Sequence, residues 1–332
     1  MIRIDGSYGE GGGQILRTSI ALSCITGEKV EVINIRANRP KPGLAPQHLK
    51  GIEAAKLISD AKVEGLKIGS TRILFEPKRI KGGHYKIDIG TAGSITLILQ
   101  TILLPSLLAR ENTTFSITGG TDVAWSPPID YFRNVTLRAL REIGCDIEVI
   151  LKKRGYYPKG GGRVEVTTRP SKLSGSKFTK IDNGIAGISH CQNLPKHVAL
   201  RQAESAKKYL EEKGLDANIR YEVHQGPSTG SGITIWCGFK GGSSLGRRGK
   251  RAEEVGQKAA SLFYKEFISD SAFDKHLADQ ILPFASIAKG STIYSTSEIT
   301  SHLQSNVYVI EKFFGKIVKI RENTIKVQGV NI

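Results

Sequence analysis

The chain has 332 residues, 39% hydrophobic and 24% charged, which is the composition of a folded protein able to bury a large core. Its 48 Lys and Arg against 31 Asp and Glu leave a formal net charge of +17, an excess that favours a polyanionic partner through counterion release and steering. No run of ~18 apolar residues is present to cross a bilayer, the chain does not open on a basic segment followed by an apolar one, and the expected address is the cytoplasm.

In chain order, residues 2–24 (IRIDGSYGEGGGQILRTSIALSC) read as a short strand, a glycine-rich loop and an apolar helix. Residues 30–58 follow with a strand (VEVINI), a Pro/Gly loop and a helix (HLKGIEAAKLI), and a β-rich pair closes the unit at about 62–76. The same order then returns, with Gly90 taking the place of Gly6. Residues 85–109 repeat the strand, loop and helix; 114–143 give TFSIT, the loop GGTDVAWSPP and a helix; and 146–168 close with a β-rich pair. Each unit reads as βαβαββ, one supersecondary block whose apolar face needs neighbours. A third copy is expected near the end: HLADQILPFASIA (276–288) matches LILQTILLPSLLA (97–109), and a strand at 291–296, a helix at 300–314 and two strands follow. Between copies two and three, after the polar stretch RPSKLSGSK, lies a segment with a long polar helix and its own α/β pattern. The expected fold is α/β (α+β): a large domain of 1–177 and 273–332, with an inserted α/β domain at 178–272.

Cys24, Cys145, Cys191 and Cys237 are far apart and form no CxxC pair, so a zinc site is not expected; Cys24 and Cys145 follow apolar helical patterns and are expected to fill core space. Two glycine clusters, GEGGGQ (9–14) and PKGGG (158–162), lack the GxxxxGK[ST] of a P-loop, and each reads as a tight turn before it reads as a phosphate cradle. The first has informative company. Glu10, Gln14 and Arg17 fall at helical spacing on one face, and Arg36, Arg39, Gln47 and His48 follow in the next loop. A carboxylate for a metal, arginines for phosphates and a histidine suit phosphoryl chemistry, although a salt-bridged surface accounts for the same types. His302 opens a helix behind Ser and Thr caps, where helix amides favour an anion. A neutral imidazole, with an ordinary pKa of ~6.5, is a competent nucleophile and gives a labile N–P bond. Among seven histidines, however, residue type alone favours a structural role.

Read together, DGSYGEGGGQILR (5–17), RPKPGLAPQHL (39–49), GTAGSITLILQ (90–100), RGYYPKGGGRV (154–164), HLADQ (276–280) and SHLQSN (301–306) resemble the motifs of the RNA 3′-terminal phosphate cyclases, over essentially the whole chain. The resemblance implies three βαβαββ units with an insert in the last. It implies ATP-dependent conversion of an RNA 3′-phosphate to a 2′,3′-cyclic phosphate, through a histidine-AMP intermediate and an RNA-adenylate, releasing AMP and pyrophosphate. His302 would be the nucleophile. Gln100, Pro127, His276, Leu277, Ala278, Asp279 and Gln280 would hold the adenylate, and Glu10 would bind Mg²⁺ or Mn²⁺. Arg17, Arg36, Arg39, Gln47 and His48 would contact triphosphate or RNA phosphates. The implied partners are ATP and an RNA with a 3′-phosphate end, without a membrane. Two other readings are a non-catalytic ribosomal-RNA maturation factor of the same family, which lacks the nucleophilic histidine, and an enolpyruvyl-transferase-like enzyme, whose substrate loops are not evident here. GRRGKR (246–251) in the insert is a candidate RNA contact.

Overall fold

The repeat read from the sequence is a repeat of sheet topology. The computed structural model describes Met1–Ile332 throughout. The first unit runs β1 (Ile2–Asp5), α1 (Gly13–Thr26), β2 (Val30–Ile33), α2 (Pro46–Ser59), β3 (Lys62–Glu64) and β4 (Ile73–Glu76). Its sheet has the order β1-β2-β4-β3, with β1 and β2 parallel and the rest antiparallel. The second unit runs β5 (Gly83–Asp88), α3 (Ile95–Leu107), β6 (Thr113–Gly119), a composite helix, β7 (Ile147–Lys153) and β8 (Gly162–Thr168). It repeats the plan as β5-β6-β8-β7. The single helix expected near 131–143 is α4 (Ile129–Tyr131), a π-helical turn (Phe132–Thr136) and α5 (Leu137–Glu142).

Between the second and third units the chain forms β9 (Ile185–Gln192), α6 (Lys196–Glu211), β10 (Ala217–His224), β11 (Gly230–Cys237), β12 (Lys240–Leu245) and α7 (Ala252–Phe267). This sheet has the order β10-β9-β11-β12, and α6 and α7 cover it over a small core that includes Ile219, Ile233, Ile235, Leu210, Val255 and Phe263. The third unit then continues through α8 (Leu277–Ile287), β13 (Lys289–Ser295), α9 (Ser301–Phe314), β14 (Val318–Arg321) and β15 (Thr324–Val330), with sheet order β13-β15-β14. Its opening strand was absent from the sequence reading. Parallel bridges from Ser174 to Lys289 and from Lys177 to Ile293 put the polar stretch before the insert in that place. SGSK has none of the apolar alternation that marks a strand, so pairing alone makes it extended.

The sheets surround a bundle made of α1, α2, α3, α8 and α9. In β6, TTFSITG, every second side chain is buried, as a one-sided sheet requires. α3 is apolar nearly all round because α1, α2 and α8 all pack against it. Ser94 starts it by accepting from Leu97 N–H, and Gly27 ends α1 in the left-handed conformation, its N–H donating to Ser23 C=O. All four cysteines are buried thiols, and burial pushes Cys24 up to about 12, which removes it from thiolate chemistry.

The β9–α7 segment meets the second unit through a buried charge cluster. Arg154 Nη1 lies 2.8 Å from Asp130 Oδ2 and 3.2 Å from Asp122 Oδ2, and its Nη2 lies 3.2 Å from Glu222 Oε2 on β10. His190 on β9 completes it: its Nδ1 is 2.7 Å from the Tyr156 hydroxyl and its Nε2 is 3.5 Å from Asp122 Oδ1. The second glycine cluster belongs to this joint. A Cβ at Gly160 would sit 2.7 Å from Thr91 C=O, while Gly160 C=O accepts from Ser228 of the insert at 2.9 Å. PKGGG is therefore a close-packed turn here.

Candidate active site

Helix starts from different units converge where the glycine-rich loop 9–13 crosses the top of α9. Thr300 caps α9 by accepting from Leu303 N–H at 3.1 Å, which sets His302 in the first turn. The half-exposed His302 places Nε2 3.0 Å from Glu10 Oε2, and the same oxygen accepts from Arg39 Nη2 at 2.9 Å. Glu10 lies in the glycine loop, as its segment indicates: α1 begins at Gly13, and Glu10 reaches the site from the loop before it and not from the helix face of Gln14 and Arg17. A Cβ at Gly13 would collide with the His48 imidazole, so only glycine lets the loop lie against that ring.

Beneath the loop lies a hydrogen-bonded chain. Arg17, nearly fully buried, donates through Nε to Gln100 Oε1 at 2.9 Å, and a second nitrogen donates to Gln14. Arg17 and Gln100 stand in the second turns of α1 and α3, which pack against each other. Gln14 and Thr18 both donate to Asn306 Oδ1, at 3.1 and 2.6 Å, and Asn306 Nδ2 donates to Asp279 C=O at 2.7 Å. Asn306 thus ties α9 to α1 and α8. It was missed in the sequence, although it stands one turn after His302 in SHLQSN. Replacing Asn306 with alanine strands two buried donors, at a cost of about 1–3 kcal/mol. We expect a lower melting temperature together with slower self-labelling by ATP; unchanged labelling would show that the chain does not position His302.

Burial and the nearby guanidinium groups set the charge states. Desolvation lowers the Arg17 guanidinium to about 10, still charged at neutral pH. His48 is lowered to about 3 by burial and by Arg17 and Arg36, so its imidazole is neutral, and its Nδ1 has no hydrogen-bond partner. His302 is lowered from its ordinary value by burial, with Glu10 opposing. Asp279 is raised to about 7 by burial, against the pull of Arg17. In that case the folded state binds the proton more tightly than the unfolded chain, so stability falls as pH rises from about 4 to about 7. Asp279→Asn removes this loss: denaturation midpoints at pH 5 and pH 8 lie closer together in the variant than in the native chain. An equal spacing in both would overturn the assignment.

The remaining site residues fall into two groups. Arg36 donates to Lys41 and Gly43 C=O at 2.9 and 2.8 Å and is used mainly to close its loop. Gln47 Oε1 accepts from Ser94 N–H at 3.4 Å, and Pro127 C=O accepts from Thr96 at 2.7 Å, one turn before Gln100 on α3. Gln280 accepts from Thr136 at 2.9 Å and donates through Nε2 to His276 C=O at 2.9 Å. Leu277 and Ala278 differ. Both side chains are fully buried in the large core, and Ala278 C=O already accepts from Tyr294. Their packing fixes the path of the segment.

Arginines, one carboxylate and a neutral imidazole thus gather about a glycine loop, residue types that suit phosphate chemistry. The family model for RNA 3′-terminal phosphate cyclase matches residues 8–320. The chain belongs to that family and is an enzyme. It is 64% identical over 325 residues to the RNA 3′-terminal phosphate cyclase of Archaeoglobus fulgidus, covering 98% of this chain and 99% of that one. The cyclase of Pyrococcus furiosus is 51% identical over 329 residues, covering 97% and 95%, and that of Methanosarcina mazei 49% over 343, covering 97% of each. Among solved structures, EPSP synthase of Acinetobacter baumannii matches at a TM-score of 0.32 and 11% identity over 100% of this chain and 82% of that one, too low to bear on the fold or the chemistry. No helix is long and apolar enough to cross a membrane.

Proposed function

We propose that the chain converts an RNA 3′-phosphate to a 2′,3′-cyclic phosphate at the expense of ATP, with His302 carrying AMP. Family membership supports the overall reaction, and the observation that carries the site is His302 at the start of α9, facing the loop of Glu10 and Arg39. In the first step an imidazole nitrogen of His302 attacks the α-phosphorus, forming an N–P bond while the bond to pyrophosphate breaks. An oxygen of the RNA 3′-phosphate then displaces the histidine, giving an RNA-adenylate. In the last step the neighbouring 2′-oxygen attacks the same RNA phosphorus, its proton leaves, and AMP departs. The logic is that a bare 3′-phosphate offers no leaving group. Adenylylation provides one, and the 2′-hydroxyl is already within reach.

Arg17, Arg36, Arg39 and His48 surround the loop where the triphosphate would lie, and the buried charge of Arg17 is worth more there than in water. Glu10 fits a divalent ion, since Mg²⁺ and Mn²⁺ are commonly held by one carboxylate together with substrate phosphates. Such an ion would neutralise phosphate charge when bound. Gln100, Pro127, His276, Asp279 and Gln280 would hold the nucleoside. Residues 178–272 are proposed as the inserted domain, and the surface is proposed to work in the cytoplasm.

The test uses an oligoribonucleotide ending in a 3′-phosphate, incubated with the enzyme, ATP and Mg²⁺ or Mn²⁺. A phosphatase-resistant, acid-openable end should form with release of AMP. An otherwise identical oligonucleotide with a 2′-deoxy terminal sugar should stop at the adenylate. Cyclisation without ATP, or closure of the deoxy end, would refute the scheme.

A further inference from the structure

Two large aromatic side chains lie open to solvent on adjoining loops. Trp125 is 99% exposed and Tyr157 is 78% exposed, the highest values for any aromatic residues in the chain. A single exposed apolar residue is ordinary, but Trp and Tyr are the residues enriched where a ring is covered on binding, and here two stand on bridged loops. Trp125 is also held with φ of +67°, a left-handed conformation that costs a non-glycine residue free energy. The loop is therefore fixed in a shape that keeps the ring in water.

The two loops are joined. A parallel bridge links Asp122 to Tyr156, and Thr121 N–H and Asp122 N–H both donate to Gly155 C=O, at 2.8 and 3.2 Å. Trp125 stands three residues after the first partner, Tyr157 one after the second. Below them, the Arg154 ion cluster makes both loop bases rigid. Pro127, two residues beyond Trp125, connects this platform to the site: its carbonyl accepts from Thr96, one turn of α3 before Gln100, which in turn accepts from Arg17.

Charge decides what the platform would take. The exposed charged residues of the segment 150–163 are Lys152, Lys153, Lys159 and Arg163, all basic, and the acids of the loop 120–130, Asp122 and Asp130, are fully buried and paired with Arg154. Lys152 and Arg163 are shared with Glu165, while Lys153 and Lys159 make no ion pair. Exposed aromatic faces interleaved with free cations are the composition of a single-strand nucleic-acid surface, where rings stack on bases and lysines follow the phosphates. An acidic peptide would use the lysines but has no need of the rings.

We propose that Trp125, with Tyr157 on the bridged loop, is a stacking platform for the unpaired bases next to the RNA 3′ end, delivering the terminal phosphate towards His302. This rests on the proposed RNA reaction. Stacking is indifferent to base identity, so the platform would confer a preference for single-stranded ends over sequence.

The chain has only two tryptophans, Trp125 and the half-buried Trp236, which makes a direct reading available. In full-length enzyme carrying Trp236→Phe, Trp125 is the sole indole emitter. Titration with a single-stranded oligoribonucleotide bearing a 3′-phosphate should quench its emission. The same oligonucleotide with abasic sugars at its last three positions should bind about tenfold more weakly or worse and leave the emission nearly unchanged, a fold-change in keeping with stacking on aromatic rings. In steady state, Trp125→Ala should raise the KM for RNA by about tenfold with a much smaller change in kcat, and Trp125→Phe should recover most of it. RNA that binds and is cyclised while emission responds equally to intact and abasic ends would overturn the platform and leave the cyclase reading standing. RNA that neither binds nor reacts would instead remove the cyclase reading, and the platform with it.

Discussion

Incubation with α-labelled ATP and a divalent metal, without RNA, should leave label on the native chain and none on His302→Ala. The adduct should be labile in acid and stable in alkali, as a phosphoramidate is and an ester to serine or threonine is not. The expected loss is roughly a thousandfold or more, because removing a nucleophile removes the pathway and not merely a contact. Geometry supports the choice of residue: His302 is half-exposed, sits in the capped first turn of α9, and is held against Glu10 Oε2 at 3.0 Å. His48, the other imidazole at the loop, is buried, and a Cβ on Gly13 would strike it, so it has no room to accept a phosphorus. Burial holds the pKa of His302 below its ordinary value, so the free imidazole persists into mildly acidic solution. The acid limb of the labelling rate should accordingly fall below pH ~6.5, the ordinary histidine value. Label that survives in His302→Ala, or moves to His48, would remove His302 as the carrier.

Arg154→Met should be the most destabilising single change at the joint between the second unit and the insert. The guanidinium is 2% exposed and faces Asp122 and Asp130, both essentially without exposure. Methionine fills similar space but leaves two acidic groups buried without their cation, a loss of about 3–5 kcal/mol. For a chain of this size that is on the order of 10 °C in melting temperature. Burial alone would lower the arginine, but the two carboxylates outweigh it and raise it above the usual range, so the charge is present at every working pH. Adding Asp130→Asn to Arg154→Met should restore part of the loss, because one uncompensated carboxylate is then gone. A melting temperature within about 2 °C of the native value in the single variant would mean that water reaches the cluster.

The contrast between these two residues shows what the linear chain discloses. His302 is singled out by its segment, since the motifs surrounding it are long and ordered, although its type and position alone favour a structural histidine. Arg154 stood inside an equally legible motif, RGYYPKGGG, yet nothing in that string says that the arginine is buried. Its partners lie 24 and 32 residues earlier and 68 later, and only the folded chain brings them together. Asn306 was opaque for the same reason: Gln14 and Thr18 are almost the whole chain away. Glu10 lies in the glycine loop, as its segment indicated, but its helical spacing to Gln14 and Arg17 does not put it on their helix, because the backbone before Gly13 is not helical. The third unit's first strand escaped because SGSK is polar and owes its extension to Lys289 and Ile293 across the insert.

By itself the sequence determined the repeat, the mixed α/β class, the surplus of positive charge and the family, because periodicity, composition and ordered motifs are local or additive properties. The tertiary structure alone decided that Arg17 meets Gln100, that α9 aims His302 at Glu10, and that Trp125 stands in solvent beside Tyr157's loop. These are contacts or exposures between residues far apart in the chain. The free energy that selects them comes from packing helices of different units against one another, a term that no stretch of sequence carries on its own.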